Sequence, residues 1–338
     1  MLVTVIVPCR NEKNHIEKFL KSIRRQEIEG FDLEIIIADG CSNDGTLEIL
    51  TKLAKEDSRI HVVTNTKKIT PSGLNLSIGK SKGDIILRMD VHTVYASNYI
   101  RNCVETLLSR NADNVGGPWR ASGNNFIQRG IALAFQSPFS AGGAKSHSLN
   151  YEGKTDSVYL GCWRKITFEK YGLFDEELIR NQDDEHNLRI VRGGGTIWQN
   201  PAIQSWYYPR SSIWAMFRQY AQYGYWKVRV IQKHHVPASI RHLIPALFLI
   251  ALFLSGLSIL FYPLGIKAFA TLLGTYLIAV LIASSITCIR TKKIKYILIL
   301  PLVFPAFHFG YGLGFLAGIF EFIIMRRNNK DAFSGLTR

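Results

Sequence analysis

The chain has 338 residues, of which 47% are hydrophobic, and it carries a formal net charge of +15. This length allows one large domain or two smaller ones. Its five cysteines are scattered, with no C-x-x-C pair, which argues against a disulfide framework and a zinc site. Because no zinc-finger or RNA-recognition motif is visible, we expect no nucleic-acid partner and assign the excess of basic residues to anionic lipid or an anionic substrate.

The N-terminal apolar run is too short for a signal peptide. Residues 2–7 have no basic region before them and lead directly into the polar residues 8–12. We therefore expect the globular part of the chain to stay in the cytoplasm.

Residues 1–90 alternate between strand-like and helix-like patterns. Short apolar runs predict buried strands, and apolar residues at helical spacing predict helices. The predicted strands are 3–7, 33–38, 60–63 and 85–89; the predicted helices cover 16–23, 47–54 and 72–82, with Ser42, Asn43 or Asp44 capping the second. This order predicts a mostly parallel sheet with helices on both faces. Ligands of such sheets bind beyond the carboxyl ends of the strands.

The C-terminal part of the chain contains three apolar segments, residues 243–264, 268–289 and 296–320. Each has about 20 or more residues without a charge, long enough to cross a bilayer as a helix. Basic residues before the first segment and between the second and third favour the cytoplasmic side. Residues 326–330 also favour the cytoplasm, which three simple crossings would not allow. Prolines and glycines could break the third segment into a re-entrant or interfacial element, so both topologies stay open.

Four polar motifs carry the candidate chemistry, and three of them follow predicted strands. Residues 8–12 follow the first strand, residues 39–46 the second and residues 88–92 the fourth. Each of these motifs alone also fits an ordinary loop or a capped turn. After Asp39, a glycine-rich turn and a helix N-terminus permit close approach of a negatively charged group.

The third and fourth motifs contain candidate metal ligands and a candidate base. Asp90 and His92 alternate along an extended segment, so they can face one site. A carboxylate oxygen and an imidazole nitrogen suit Mn²⁺, whereas Mg²⁺ would use the carboxylate with phosphate oxygens and water. In residues 181–189, a carboxylate ahead of a helical segment could accept a proton from a hydroxyl. The same acidic residues could instead only stabilise a helix N-terminus.

Together with Asn75 and Gly83-Asp84, these motifs resemble glycosyltransferase family 2, the inverting enzymes of the GT-A fold. A narrower set of residues is similar to the succinoglycan-biosynthesis (ExoA-like) subfamily, which builds bacterial exopolysaccharide on a polyprenyl-diphosphate carrier at the inner membrane. That set comprises residues 70–71, 73–75, 88–92, 115–118, 137–139, 181–189, 209–212 and 308–315.

The resemblance implies a domain order and a role for each site residue. Residues 1–92 would be the nucleotide-sugar-binding half of a GT-A domain, 93–232 its acceptor and catalytic half, and 240–325 a membrane-embedded helical region. Asp183 would be the catalytic base, and Asp90 with His92 would hold a divalent metal, Mn²⁺ or Mg²⁺. The nucleotide-sugar would contact Pro8, Asn11, Glu12, Asp39, Asn75 and Asp90, with Asp39 on the base, uracil. The acceptor side would include Gln182, Asp184, Gln222 and Trp226.

The chain departs from the family pattern at three places. His92 stands in place of the second Asp of the Asp-x-Asp site, and Gln182 in place of the Glu before Asp183. Gln222-x-x-Tyr225-Trp226 stands where processive synthases carry Gln-x-x-Arg-Trp. The missing arginine favours addition of a single sugar.

We therefore expect a multi-pass enzyme of the inner membrane with a cytoplasmic catalytic domain. It would transfer one hexose, with glucose the expected sugar, from a UDP-sugar to a lipid-linked saccharide in exopolysaccharide biosynthesis. Two alternatives stay open: a glycosyltransferase that acts on polyprenyl phosphate, and a catalytically weak binding subunit of a polysaccharide-synthesis complex. A sugar-nucleotide pyrophosphorylase would need a G-x-G-x-R loop, which residues 8–13 do not provide.

Overall fold

The structure, a computed structural model, describes residues 1–326. The chain divides into two compact units. Unit 1 comprises Met1–Arg120 and Lys145–Tyr207, and unit 2 comprises Ala121–Ala144 and the residues from Tyr208 onward. The functional halves expected from the sequence, 1–92 and 93–232, stay predictions. Of residues 326–330, which we expect in the cytoplasm, 327–330 lie outside the described residues.

The secondary structure contains strands and helices with the following bounds. The strands are β1 (Leu2–Cys9), β2 (Asp32–Asp39), β3 (Ile60–Thr64), β4 (Ile85–Arg88), β5 (Val94–Tyr95), β6 (Asn114–Gly117), β7 (Arg120–Ala121), β8 (Gly153–Lys154), β9 (Tyr159–Arg164), β10 (Ile197–Gln199) and β11 (Ser205–Tyr207). The helices are α1 (Ile16–Arg24), α2 (Thr46–Glu56), α3 (Thr70–Lys80), α4 (Tyr99–Ser109), α5 (Phe126–Phe135), α6 (Pro138–Ala141), α7 (Lys165–Tyr171), α8 (Gln182–Arg192), α9 (Ile213–His234), α10 (Ile244–Ser258), α11 (Gly265–Thr291) and α12 (Leu300–Gly318). A π-helical segment, Ile319–Ile324, continues α12.

Unit 1 is built on an eight-stranded sheet in the order β3-β2-β1-β4-β9-β6-β10-β8. The first four strands in this order pair in parallel, as the alternating sequence pattern predicts. In the rest of the sheet, β9 runs antiparallel to both β4 and β6. The sheet is therefore parallel where the β-α repeat is regular and mixed where the sequence becomes irregular.

Helices cover both faces of this sheet because side chains alternate along each strand. Val3, Val5 and Val7 belong to one apolar cluster with residues of α1, α2 and α4. Ile6 and Ile86 point to the other face and join a cluster with residues of α3, α7 and α8. The predicted α/β architecture with helices on both faces is confirmed.

The start of α2 differs in detail from the sequence prediction. The residue before the helix is Gly45, with φ of 98°, and none of the three predicted capping residues occupies that position. A left-handed φ favours glycine, which has no Cβ. Asp44 still accepts a hydrogen bond from the first helical amide, Thr46 N–H, at 3.0 Å.

Unit 2 is helical. The helix α9 is amphipathic and ends in basic residues, whereas α10, α11 and α12 are almost entirely apolar. Among the described residues, α11 and the continuous segment Leu300–Ile324 are long and apolar enough to cross a membrane, with mean hydropathies of 2.2 and 1.5. The chain is thus an α/β unit followed by a region with two helices of this kind.

One expectation about the apolar segments needs correction, and one alternative that the sequence left open is not observed. The first segment does not form a helix of spanning length, because α10 ends at Ser258 after 15 residues. The prolines and glycines of the third segment do not break it: α12 continues through Pro305 and into the π-helical segment. Pro301 lies in the first helical turn, where a missing amide hydrogen has no helical partner to lose.

Candidate active site

The parallel register brings three of the polar motifs to one edge of the sheet. Cys9 at the end of β1 pairs with Asp39 at the end of β2. On the other side of β1, Ile6 pairs with Arg88 at the end of β4. The loops that follow these strands therefore begin side by side, at the carboxyl edge where ligands of parallel sheets bind.

Hydrogen bonds join the loops after β1 and β2. The backbone N–H of Asn11 donates to Ser42 Oγ at 2.8 Å, and Asn11 Oδ1 accepts from the backbone of Asn43 at 3.0 Å. The backbone N–H of Glu12 donates to Thr46 Oγ1 at 2.8 Å. The left-handed φ of Asn11, 55°, suits asparagine better than most residues. These contacts make the first two motifs a single connected rim.

The predicted nucleotide-binding residues lie along this rim. Pro8 is half-buried within β1, Asn11 is exposed and Glu12 is buried. Asp39 is also buried, and its carboxylate accepts hydrogen bonds from Ser42 Oγ at 2.6 Å and from the Ser42 backbone at 3.0 Å. In this structure, Asp39 therefore fixes the turn that follows β2.

A buried arginine holds the third motif. The Arg88 guanidinium donates to both carboxylate oxygens of Asp90, at 2.9 and 3.1 Å. Arg88 as a whole is 8% exposed to solvent. Burial alone would lower the pKa of Arg88, but the charges of Asp90 and Asp183 and the Asp90 hydrogen bonds raise it above its usual value. Arg88 is thus a permanent buried cation between two acidic motifs.

His92 and Glu12 connect the third motif to the first. His92 is half-buried, and its Nδ1 lies 3.8 Å from Glu12 Oε1. A carboxylate on one ring nitrogen orients a histidine whose other nitrogen binds a metal. Within residues 1–326, no cluster of three or more His, Cys, Asp or Glu side chains could hold a metal by itself. A metal ion held by Asp90 and His92 would need its other ligands from phosphate oxygens and water.

The fourth motif forms the first turn of α8. Asn181 precedes the helix with a left-handed φ of 61°, and Asp183 and Asp184 are half-buried in its first turn. Asp183 Oδ1 accepts the backbone N–H of Asp184 at 2.9 Å. Because the Asp183 charge acts on Arg88, the structure brings Asp90 and Asp183 within electrostatic reach of the same guanidinium. Gln182, the first residue of α8, is buried.

The rest of α8 is anchored by charged and aromatic contacts. The fully buried carboxylate of Glu185 accepts from Arg189, which also donates to the carbonyls of Tyr171 and Leu173. His186 stacks on Phe168, and its Nε2 lies 3.1 Å from the Gly172 carbonyl. These contacts hold the helix that carries Asp183.

Burial lowers the pKa of His186 to about 4, and the nearby charge of Arg189 acts in the same direction. The histidine is therefore neutral in the folded protein near neutral pH. Its ring belongs to an aromatic cluster and lies among apolar side chains, so its role here is structural.

The other predicted site residues lie elsewhere. Asn75, on α3, bonds through its side chain to the backbone of Phe174 in both directions and to Glu176 at 3.0 Å. It therefore ties α3 to the segment that precedes α8. Gln222 and Trp226 are buried on α9, in unit 2.

Sequence reasoning gave no role to Arg88, Thr46 or Tyr95. The Tyr95 hydroxyl accepts the Asp90 N–H at 2.7 Å and contacts the Asp90 carbonyl at 3.1 Å. The sequence offered one signal for Arg88: it is a charged residue directly after the apolar run Ile85-Ile86-Leu87. An arginine in that position must find a buried acidic partner.

Comparison with known proteins identifies the family. The glycosyl transferase family 2 profile matches residues 4–171. The succinoglycan biosynthesis protein ExoA of Rhizobium meliloti is 30% identical over 243 residues, which cover 71% of this chain and 73% of ExoA. The chain belongs to glycosyltransferase family 2. It is a glycosyltransferase, and the ExoA-like resemblance seen in its motifs is confirmed.

Two more similarities extend over nearly the whole chain. A Methanococcus voltae enzyme, dolichyl N-acetyl-alpha-D-glucosaminyl phosphate 3-beta-D-2,3-diacetamido-2,3-dideoxy-beta-D-glucuronosyltransferase, is 28% identical over 94% of this chain and 97% of its own. A Pyrobaculum calidifontis mannosyltransferase, solved with GDP-Man and Mn²⁺, superposes with a TM-score of 0.60 at 18% identity, over 93% of this chain and 86% of its own. This structural match confirms the GT-A fold.

Proposed function

We propose that this family 2 glycosyltransferase moves one hexose, glucose, from a UDP-sugar to a lipid-linked saccharide with inversion at the anomeric carbon. The observation that carries the proposal is the buried guanidinium of Arg88. It bonds to Asp90, the residue proposed to serve the donor diphosphate, and it responds to the charge of Asp183, the proposed base. The proposed base thereby lies within electrostatic range of the buried cation that is hydrogen-bonded to Asp90.

The proposed reaction is a single displacement. Asp183 accepts the proton of the acceptor hydroxyl while that oxygen bonds to the anomeric carbon. The bond between this carbon and the diphosphate oxygen breaks, and its electron pair leaves with the nucleoside diphosphate. Because attack comes from the face opposite the leaving group, the configuration inverts.

Asp90 and His92 are the residues that would hold a divalent metal, Mn²⁺ or Mg²⁺. Such a metal supplies positive charge to a leaving diphosphate. The protein's own contribution is to position its ligands: Arg88 and Tyr95 fix the side chain and the backbone of Asp90, and Glu12 lies beside His92. Pro8, Asn11, Asp39 and Asn75 complete the proposed donor side.

A lipid-linked acceptor is supported by two independent features. The archaeal relative is named for a dolichyl-linked phosphate sugar, and ExoA is named for succinoglycan biosynthesis. In addition, α10 and α11 expose large apolar side chains. We propose that the protein acts in polysaccharide or lipid-linked saccharide synthesis at the inner membrane, with the catalytic unit in the cytoplasm. Gln182, Asp184, Gln222 and Trp226 stay as proposed acceptor-side residues.

The test of the base is Asp183→Asn. The amide keeps an oxygen that can accept the Asp184 N–H but cannot take the acceptor proton. We expect turnover to fall at least ~10²-fold while nucleotide binding stays near normal. Glu169→Gln, an exposed acid on α7, is the matched control and should keep wild-type turnover. Wild-type-like turnover of Asp183→Asn would remove Asp183 from the base role.

The donor and acceptor are tested together. Membranes that contain the protein are supplied with a panel of UDP-, GDP- and other nucleotide-sugars, and lipid-extracted products are identified by mass. We expect a product one hexose heavier than a lipid-linked saccharide, with a UDP-sugar as donor. A product that contains only polyprenyl monophosphate and one sugar would favour the polyprenyl-phosphate alternative. No metal-dependent consumption of any donor would favour a binding subunit.

A further inference from the structure

The helices α9 and α12 of unit 2 approach each other more closely than side chains would allow. Gly310, Gly314 and Gly318 recur every fourth residue on one face of α12. A Cβ at these positions would meet the backbone carbonyls of Phe217, Ala221 and Tyr225, respectively. Small residues at this spacing let two helix backbones touch.

This pairing is parallel and extends along most of α9. The contacts advance along both helices together, from Phe217 with Gly310 to Tyr225 with Gly318. They continue into the π-helical segment, where the Gln232 side chain donates to the Phe322 carbonyl at 3.3 Å. The paired length of α9, residues 217–232, corresponds to about 22 Å of helix.

The paired part of α9 is too polar for the interior of a bilayer. It carries Arg218, Lys227 and Arg229, together with Gln219 and Gln222. Basic side chains at the centre of a bilayer are costly. If α12 crossed the membrane, α9 would have to lie beside it because the two helices are in contact. The basic residues of α9 would then lie inside the bilayer.

The first half of α12 is covered by another helix with a polar start. Phe126 of α5 stacks on Tyr296 with ring centroids 4.9 Å apart, and Phe135 packs on Phe307 at 5.3 Å. The same helix carries Gln128 and Arg129, which donate to the carbonyls of Pro209 and Gly123, both in unit 2. Protein therefore covers one side of α12, whereas Leu302 and Leu313 on this helix stay exposed.

A smaller share of the α10–α11 hairpin than of α12 is buried. Its exposed side chains are large and apolar, including Phe253 at 69%, Leu260 at 76% and Ile278 at 60% exposure. Arg241 precedes α10, and Arg290, Lys292 and Lys293 stand at the end of α11. An apolar hairpin with basic residues at both ends fits acyl chains below and anionic headgroups at the surface.

We infer that the α10–α11 hairpin enters the lipid, that α12 lies on α9 at the membrane surface with its exposed apolar side toward lipid, and that the chain ends on the same side of the membrane as α9. This inference rests on the membrane association proposed above and is independent of catalysis. The apolar character of α12 then reflects packing on α9, α5 and α10 together with contact at the membrane surface, not a membrane crossing.

The test determines on which side of the membrane single added cysteines lie. It uses sealed vesicles prepared right side out and inside out. A cysteine appended after Arg338 reports the C-terminus, and Lys233→Cys and Lys293→Cys report the ends of α9 and α11. A membrane-impermeant maleimide is applied, and mass spectrometry identifies the labelled peptides, so the five native cysteines can stay. We expect all three positions to label from the same side.

The outcomes separate this inference from the proposed function. Labelling of the appended cysteine from the side opposite Lys233→Cys would show that α12 crosses and would overturn the inference. Recovery of the protein in the soluble fraction without detergent would overturn both this inference and the proposed membrane association. Neither result alters the donor or base assays, and an inactive protein with the expected labelling would contradict only the proposed catalytic function.

Discussion

The edge of the sheet in unit 1 and the helices of unit 2 both bring distant residues together, polar groups in the first case and glycines in the second. In unit 1, polar groups that follow apolar strands are brought together by backbone register, as with Cys9 and Asp39. In unit 2, apolar helices contain glycines that let a second helix backbone approach, as Gly314 does for Ala221. The polar site can be located from strand order alone, but an apolar helix does not disclose whether lipid or protein covers it.

The same contrast separates α11 from α12. Both helices pass a hydropathy criterion for membrane crossing. Gly274 of α11 has open space where a Cβ would stand, whereas Gly314 of α12 touches a backbone carbonyl. A high mean hydropathy indicates that a segment avoids water, but it does not indicate whether lipid or protein covers the segment.

The largest expected effect on stability comes from a change to the buried charges of unit 1. Arg88→Met removes the cation that is hydrogen-bonded to Asp90 and leaves that carboxylate without its buried partner. We expect the free energy of unfolding to fall by about 3–5 kcal/mol, with loss of turnover. Denaturation of the detergent-solubilised protein, followed by tryptophan fluorescence, measures the change.

The double variant Arg88→Met/Asp90→Asn serves as the control for that experiment. It removes both charges of the pair, so it should recover part of the lost stability without recovering activity. Equal stability of Arg88→Met and wild type would contradict the role of Arg88 as a buried counter-charge.

A pH effect of intermediate size is expected from His186. The pKa of this residue is about 4 in the folded protein, below its ordinary value of 6.5, because burial disfavours the charged ring. The unfolded chain therefore binds a proton that the folded protein does not, and stability should fall as pH decreases from about 6.5 to about 4. The full effect is about 3 kcal/mol.

His186→Phe is the matched variant for the pH measurement, because it keeps an aromatic ring against Phe168. Melting temperatures at pH 7 and pH 5 are compared for both proteins. The variant should lose less stability than wild type on acidification. An identical pH dependence of the two proteins would exclude His186 as the source.

The smallest expected effect tests the helix contact. Gly314→Ala introduces a methyl group against the Ala221 carbonyl and should cost about 1–3 kcal/mol. Gly274→Ala, in open space on α11, should be neutral or stabilise by up to about 1 kcal/mol. Melting temperatures in detergent compare the two variants. If both alanines were tolerated equally, the close contact of α9 and α12 would be ruled out.

Much of unit 1 could be predicted because its signals are local. The four apolar runs of the first ninety or so residues correspond to β1, β2, β3 and β4. The GT-A fold and the family followed from the order of the motifs. The strands β5 to β11 escaped prediction; β5, β7, β8, β10 and β11 have only two or three residues, which carry no usable periodicity.

Within the candidate site, the sequence indicated which residue types gather but not how they are held. Asp39 was expected to meet a nucleotide base, and the structure gives its carboxylate to Ser42. Asn75 contacts Phe174, 99 positions away in the chain. Contacts at such separations depend on how helices pack on the sheet, which no local pattern records.

The sequence by itself determined the alternation of strands and helices, the polar motifs at the strand ends and the apolar character of the C-terminal segments, because each follows from the spacing of side chains along the chain. The tertiary structure decided the pairing of Arg88 with Asp90 and the close contact of α12 with α9. Both arise from residues far apart in sequence, where a buried charge must meet its counter-charge and a glycine face must meet a second backbone.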